Sequence, residues 1–277
     1  MSPTLASGQL DEIAPGVRRL VAFNASYMTG PGTNTYLLGR ERCVVIDPGP
    51  QDQAHTARIL QECAGRIDAV LVTHTHPDHS PAAQFISAQT GAALLGRAPP
   101  SDGRQDLTFA PTRTLQDGDT VPFDGGELRA LQTPGHASNH CCYVFDGTGL
   151  IFTGDHLMQG STVVIAPPDG HMGDYLRSLQ RLQHEPVSRI APGHGLTIED
   201  AQGEIARIIR HRLQREAKVV QRLGAAKMST LEALVPRVYD DVDPRLHPVA
   251  KSSLLAHLIK LEEDGRARRD GASWTLL

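Results

Sequence analysis

Three histidines and one aspartate lie within six residues of each other in the stretch His74-Thr75-His76-Pro77-Asp78-His79. This stretch directly follows residues 68–73, a short apolar run that predicts a buried strand. Side chains at the end of a strand stand on a rigid support, which suits metal ligands. The first two histidines alternate with Thr75 and can face one way, whereas the aspartate and the third histidine follow a proline that bends the chain. One loop can therefore supply ligands to two neighbouring metal ions.

Three later segments each place a ligand-type residue just after a short apolar run. They carry His136, Asp155 and His194, and each has a glycine beside it that favours a turn. The six-residue motif alone leaves open a histidine-rich surface turn or a structural zinc site completed elsewhere. The three further segments weigh against both alternatives and predict a single site assembled at the ends of several strands.

This ordered set resembles the motifs of the metallo-β-lactamase superfamily of hydrolases, which also have an aspartate after an early strand, here Asp47. The resemblance covers residues 17–200. It implies that one metal is held by His74, His76 and His136. It implies that the other metal is held by Asp78, His79 and His194, and that Asp155 bridges the two.

Five imidazoles and two carboxylates suit two zinc ions, and they are compatible with manganese or iron. Such a pair of metals favours attack by a metal-bridging hydroxide on a carbonyl or phosphoryl group. Asp78 is predicted to be catalytic as well as a ligand, because it can accept the proton left after attack. Asp47 is predicted to support the site by accepting hydrogen bonds. His140 and His156 stand close to ligands in sequence and are predicted to line or support the site.

The predicted elements mix hairpins with strand–helix units. Residues 120–132 and 141–152 predict hairpins, residues 54–64, 81–90 and 172–182 predict helices, and residues 94–111 predict a loop. This mixture predicts an α+β fold, and the resemblance implies the four-layer αβ/βα sandwich of the metallo-β-lactamase family. The catalytic domain is predicted to span residues 1–200.

The predicted secondary structure becomes mainly helical from about residue 201. Helices are predicted over residues 201–223, from a capping box at residues 229–232, and over residues 251–264, followed by a hairpin over residues 266–277. This order predicts a small winged-helix-like domain over residues 201–277. Leu254, Leu255, Leu258 and Leu261 form an apolar stripe, for which the catalytic domain or a second subunit is the expected cover, so a homodimer is a possible assembly.

The tail also differs in charge from the rest of the chain. Residues 201–277 contain 14 Lys and Arg against 10 Asp and Glu, whereas residues 1–200 contain 13 against 21. A basic tail can bind RNA, but the excess is small and the charges are interleaved, so solvated charges are the favoured interpretation. The core with this tail is similar to the β-lactamase-like protein 2 group, which implies an endoribonuclease or a thioesterase acting on carrier-bound polyketides. One departure is Ser80-Pro81-Ala82, where that group usually has Ser-Gly-Gly.

The resulting hypothesis is a dinuclear zinc-dependent hydrolase that cleaves a small-molecule ester, a thioester or an RNA phosphodiester. The alternative from another class is an iron-dependent oxidoreductase of the persulfide dioxygenase type, which shares the fold. The sequence has no apolar segment long enough to span a membrane and no apolar leader near Met1, so no membrane partner and a cytoplasmic location are expected. The four cysteines show no metal-site spacing and are expected to be free thiols.

Overall fold

The computed structural model describes residues 5–64 and 66–277. They form two compact units, each with its own core. The first unit contains the residues up to Thr133, Asn139–Ser161 and Pro186–Gln202. The second contains Pro134–Ser138, Thr162–Glu185 and Gly203–Leu277. The division at residue 200 remains a prediction, and the two compact units differ from it by grouping two earlier segments with the tail.

The first unit contains a seven-stranded sheet whose strands follow each other in chain order. The strands are β1 Leu10–Ala14, β2 Val17–Val21, β3 Asn34–Leu38, β4 Cys43–Ile46, β5 Ile67–Leu71, β6 Ala93–Gly96 and β7 Arg113–Thr114. Strands β1 to β4 pair antiparallel, and β4 to β7 pair parallel. Helix α1, Gln53–Glu62, makes the crossover between β4 and β5, helix α2, Ala82–Thr90, makes that between β5 and β6, and residues 97–112 connect β6 to β7.

The second sheet of this unit has five strands in the order β12-β11-β10-β9-β8. They are β8 Thr120–Phe123, β9 Gly126–Gln132, β10 Cys141–Phe145, β11 Leu150–Gly154 and β12 Arg189–Pro192. The two predicted hairpins are confirmed, and β12 joins β11 in parallel. The core of the unit contains residues of both sheets, such as Leu71 and Phe152, so their apolar faces pack together.

Helices α1 and α2 pack on the other face of the seven-stranded sheet. Ile59 and Ile86 are fully buried there, in one cluster with Val45 and Val70 of the sheet. Both helices agree with the sequence prediction to within two residues at each end. The predicted loop over residues 94–111 is wrong at its start, because residues 94–96 belong to strand β6. The flanking glycines and prolines obscured this strand, which pairs with β5 and β7 and whose leucines are buried in the core of the unit.

The second unit is mainly helical. Its helices are α3 Met172–Leu182, α4 Ala201–Ala226, α5 Leu231–Val238 and α6 His247–Glu263, with a short 3-10 turn at Pro244–Leu246. Its small sheet has the order β13-β15-β14, with β13 Met228–Thr230, β14 Ala267–Asp270 and β15 Ser273–Leu276. The predicted terminal hairpin is confirmed. Helix α5 begins one residue later than the capping box implied, since Thr230 accepts the cap hydrogen bond from Ala233 while Ser229 pairs within the sheet.

The apolar stripe of α6 is covered by the tail itself. Leu254, Leu258 and Leu261 are fully buried in one cluster with Leu223 of α4 and Trp274 of β15. The buried leucines of the stripe are thus covered by residues of α4, α5 and the hairpin, and the homodimer remains a prediction. All four cysteines are free and buried, as predicted. None of the helices in the described residues combines the length and apolarity needed to cross a membrane.

Candidate metal centre

Most of the predicted ligands lie at the ends of strands in the first unit. The histidine-rich stretch follows β5, Asp155 follows β11, and His194 follows β12. The two sheets are tied together beside these ends. Thr33 forms a β-bridge with His194, and the Cys141 N–H donates to the Thr73 carbonyl at 2.7 Å. The strand-end arrangement predicted from the sequence is therefore present across both sheets.

Four side chains converge around one point. The Asp78 Oδ2 lies 3.3 Å from the His194 Nε2 and 3.6 Å from the His79 Nε2. The Asp155 Oδ1 lies 3.4 Å from each of the same two nitrogens. The His79 Nε2 is buried and has no hydrogen-bond partner. Two carboxylate oxygens and two imidazole nitrogens at this spacing are a donor set that a divalent cation fits.

His74 and His76 form the neighbouring part of the cluster. The His74 Nε2 lies 2.9 Å from the His76 Nδ1, and the rings of His74 and His79 are 4.2 Å apart between centroids. Ligand atoms of His74, His79 and Asp155 all lie within 4.8 Å of one another. Asp155 thus stands beside one histidine from each of the two predicted ligand sets, which is the position that a bridging carboxylate needs.

His136 belongs to the second unit. Its Nδ1 lies 2.8 Å from the carbonyl oxygen of Val164, which can only accept a hydrogen bond. The Nδ1 therefore carries the proton, so the Nε2 is the ring nitrogen that would bind a metal. Its place in the first ligand set remains a prediction.

Asp47 accepts hydrogen bonds from residues of the site, as expected from the sequence. Its Oδ1 accepts from the Thr73 N–H at 2.7 Å. Its Oδ2 accepts from the Thr73 hydroxyl at 2.7 Å and from the His79 Nδ1–H at 2.9 Å. The last bond fixes the His79 tautomer and presents the Nε2 to the cluster. Asp47 has a φ of 49°, which an aspartate adopts more readily than most residues.

Thr73 is a supporting residue that the sequence analysis missed. Its hydroxyl donates to Asp47, so it accepts from the His74 Nδ1–H at 3.1 Å, which makes the Nε2 the ring nitrogen of His74 that would bind a metal. Asp47 thereby orients His79 directly and His74 through this hydroxyl. A Cβ at Gly154 would lie 2.3 Å from the same hydroxyl oxygen, so this position requires glycine. The only signal in the sequence was a hydroxyl residue directly before the motif.

His55 is a second supporting residue that sequence reasoning missed. The Thr35 hydroxyl donates to the Asp47 carbonyl at 2.7 Å and accepts from the His55 Nε2–H at 2.8 Å. Burial lowers the pKa of His55 to about 4, so the ring is neutral at physiological pH. This pair holds the backbone of Asp47 in its left-handed conformation.

Three further histidines, His140, His156 and His171, differ in their surroundings. His140 and His156 are fully buried, and the His140 ring lies 5.2 Å from that of His74, so they lie close to the ligands as predicted. The His140 Nδ1 is 2.9 Å from the Thr133 hydroxyl. His171 instead caps helix α3, where its Nδ1 accepts from Asp174, and its Nε2 lies 2.8 Å from Glu263.

The carboxylates of the cluster favour positive charge on the neighbouring imidazoles. Burial by itself lowers the pKa of His79, but the carboxylates of Asp78 and Asp155 outweigh it and hold this pKa well above the usual value. The pKa of His194 rises to about 9 for the same reason, with Asp155 as the main cause against burial. Burial raises the pKa of Asp78, yet the adjacent imidazoles lower it to about 2. Divalent cations supply the charge that protons on these imidazoles otherwise supply.

Comparison with known families agrees with this geometry. Residues 28–194 match the metallo-beta-lactamase superfamily, and residues 230–274 match the beta-lactamase associated winged helix domain. The second match confirms the winged helix predicted from the order of the C-terminal elements.

Similar proteins extend along nearly the whole chain. The Beta-lactamase-like protein 2 homolog of Drosophila melanogaster is 32% identical, over 92% of this chain and 91% of that protein. An Atrochrysone carboxyl ACP thioesterase of Aspergillus chevalieri is 30% identical, over 92% and 83%. The crystal structure of a Beta-lactamase domain protein from Burkholderia ambifaria has a TM-score of 0.80 at 22% identity and covers 100% of this chain and 98% of its own. The chain therefore belongs to the metallo-β-lactamase superfamily and has its α+β fold with a C-terminal winged helix.

Proposed function

We propose that this protein is a dinuclear metal-dependent hydrolase of acyl thioesters. The observation that carries the proposal is the convergence of Asp78, His79, Asp155 and His194 beside His74 and His76. We propose zinc at both positions, because zinc favours imidazole and carboxylate ligands and needs no redox partner. When bound, such metals polarise a carbonyl oxygen and lower the pKa of water to roughly 7.

Among the converging residues, Asp78 is the one that a substrate can reach. Its side chain is 29% exposed, whereas those of Asp155 and His194 are 12% and 6% exposed and that of His79 is inaccessible. With a pKa of about 2, Asp78 is ionised at neutral pH. Its carboxylate can orient the attacking water, accept its proton and pass that proton to the leaving thiolate. The side chains of His79 and Asp155 are buried, so the surrounding residues keep them in place.

A carbonyl substrate is favoured over RNA by the charges of the tail. Several of its basic side chains are already engaged by carboxylates within the tail. The ion pairs include Arg215–Asp241, Lys218–Asp241, Arg222–Asp240, Lys260–Glu216 and Arg266–Glu216. Phosphate binding would have to compete with these pairs. A related protein named as a carrier-protein thioesterase adds support for a thioester.

A loop beside His194 offers contacts for an acyl group. Tyr27 and Met28 are 77% and 55% exposed at the tip of a turn closed by the Ser26–Gly30 bridge. The Ser26 hydroxyl accepts from the N–H groups of Met28 and Thr29, so the turn is held in one conformation. The loop ends at Thr33, the residue bridged to His194. Exposed apolar side chains of this kind favour binding of an apolar group.

The test is a turnover screen of the zinc-loaded protein with acyl-pantetheine thioesters, aryl esters, phosphodiesters and single-stranded RNA. We expect the highest kcat/KM for a thioester, by at least about tenfold over any phosphodiester, a difference of about 1.4 kcal/mol in activation free energy. The released thiol is measured directly, and the Asp78→Asn variant serves as the control for adventitious hydrolysis.

Two outcomes would contradict the proposal. RNA cleavage that exceeds thioester turnover would make the protein a nuclease. A single tightly bound iron per chain, with oxygen consumed in the presence of a persulfide, would make it an oxidoreductase on the same fold.

A further inference from the structure

The loop that carries His136 is held by other parts of the second unit. The Val164 carbonyl accepts from the His136 Nδ1–H, and the Asp169 carboxylate accepts from the Ser138 N–H at 2.9 Å. The His171 N–H donates to the Gly135 carbonyl at 2.7 Å. The position and tautomer of His136 therefore depend on residues 162–171.

Arg212 of helix α4 in turn holds this segment. The side chain is almost fully buried, with 3% of the residue exposed. Its Nη2 donates a hydrogen bond to the carbonyl of Val163. Val163 directly precedes Val164, whose carbonyl accepts from His136. A buried guanidinium that donates to a backbone carbonyl fixes the peptide plane next to it.

A second contact of Arg212 leads to the same loop. Its guanidinium carbon lies 5.2 Å from the centre of the Tyr175 ring, on helix α3. The backbone of Tyr175 packs against Gly135, where an added Cβ would lie 2.3 Å from the Tyr175 Cα. Gly135 has a φ of 143°, so glycine serves both the close approach and the backbone conformation. Arg212 thus contacts the segment of residues 162–171 at Val163 and helix α3 at Tyr175, and both hold Gly135, the residue before His136.

We propose that Arg212 is a positioning residue that sets the orientation of His136 for metal binding, so that the winged-helix tail contributes to metal affinity. The inference rests on the proposed function, since it requires His136 to be a ligand. It implies that the tail has a role besides completing its own core: it stabilises one ligand of the metal site through Val163 and Tyr175.

Helix α4 provides a closely matched control in Arg215. This residue is also buried, donates to a backbone carbonyl, that of Val238 at 2.6 Å, and lies over a tyrosine ring, that of Tyr239 at 4.4 Å. It differs in pairing with Asp241, and the contacts described for it are to Val238, Tyr239 and Asp241, outside the His136 loop. Both arginines support the fold of the tail, but only Arg212 is connected to a predicted ligand.

The experiment compares Arg212→Met with Arg215→Met in the full chain. Zinc stoichiometry and affinity are measured by competition with a chromophoric chelator, and the stability of the chelator-treated proteins by thermal unfolding. We expect both variants to lose stability, but only Arg212→Met to bind one of its two zinc ions about tenfold more weakly, as for other residues that orient metal ligands. If either methionine variant does not fold, Arg212→Lys and Arg215→Lys make the same comparison with a donor retained.

The outcomes separate the inference from the proposed function. His136→Ala is measured alongside. Loss of one zinc in His136→Ala together with equal zinc affinity in the two arginine variants would overturn the role of Arg212 alone. Unchanged zinc binding in His136→Ala would overturn the ligand set itself.

Discussion

We expect the replacement of Asp78 by asparagine to lower kcat by on the order of 10²-fold or more at equal metal occupancy, the usual effect of losing a proton acceptor. An amide keeps the shape of the side chain and can still ligate through its oxygen, but it cannot take a proton. Asp78 is the most exposed of the converging side chains and is ionised at neutral pH, so its loss acts on chemistry more than on folding.

The measurement is kcat for acyl-pantetheine hydrolysis, with zinc content determined on the same samples. Asp146→Asn is a suitable control, because Asp146 is a surface residue that pairs with Arg129 outside the cluster. A kcat for Asp78→Asn near that of the parent would reduce Asp78 to a dispensable ligand.

We expect the replacement of Asp47 by asparagine to weaken zinc binding by about 10- to 100-fold, although Asp47 lies behind the predicted ligands. Asparagine tolerates the positive φ of this position, so the backbone is preserved. Its amide nitrogen, however, replaces either the oxygen that accepts from the Thr73 N–H or the oxygen that accepts from both the Thr73 hydroxyl and the His79 Nδ1–H, so at least one donor loses its acceptor. A proton shifted to the His79 Nε2 blocks the ligand atom. A buried donor left unsatisfied costs a further 1–3 kcal/mol or so of stability.

Zinc affinity and thermal unfolding together test this prediction. Asp124→Asn is the matched control, since Asp124 also accepts from several backbone N–H groups, those of residues 40–42, but supports only a turn. If the two variants retained zinc equally well, the hydrogen bonds of Asp47 would serve the fold and not the metal site.

Local patterns were sufficient for much of this structure. Both hairpins over residues 120–132 and 141–154, helix α3 and the terminal hairpin follow from alternation, turn residues and helical spacing, which act over a few residues. The same holds for the positions of the predicted ligands of the first unit, because each follows a strand that the sequence identifies. The motif order then allowed the family resemblance to assign them to two sets.

Other features depend on contacts between distant residues and left no local signal. Strand β6 is held by pairing with β5 and β7, and the buried leucines of α6 pack against α4 and Trp274. The roles of Thr73 and Arg212 are set by which acceptor each side chain reaches. The identity of a residue as threonine or arginine does not show which acceptor it reaches, because tertiary packing determines the acceptor.

The most direct test of the proposed site is a crystal structure of the zinc-loaded protein with anomalous scattering at the zinc edge. We expect two zinc ions, one bound by His74, His76 and His136, and one by Asp78, His79 and His194, with Asp155 between them. Zinc ligands from fewer than five of these seven positions, in a well-occupied site, would contradict the assignment.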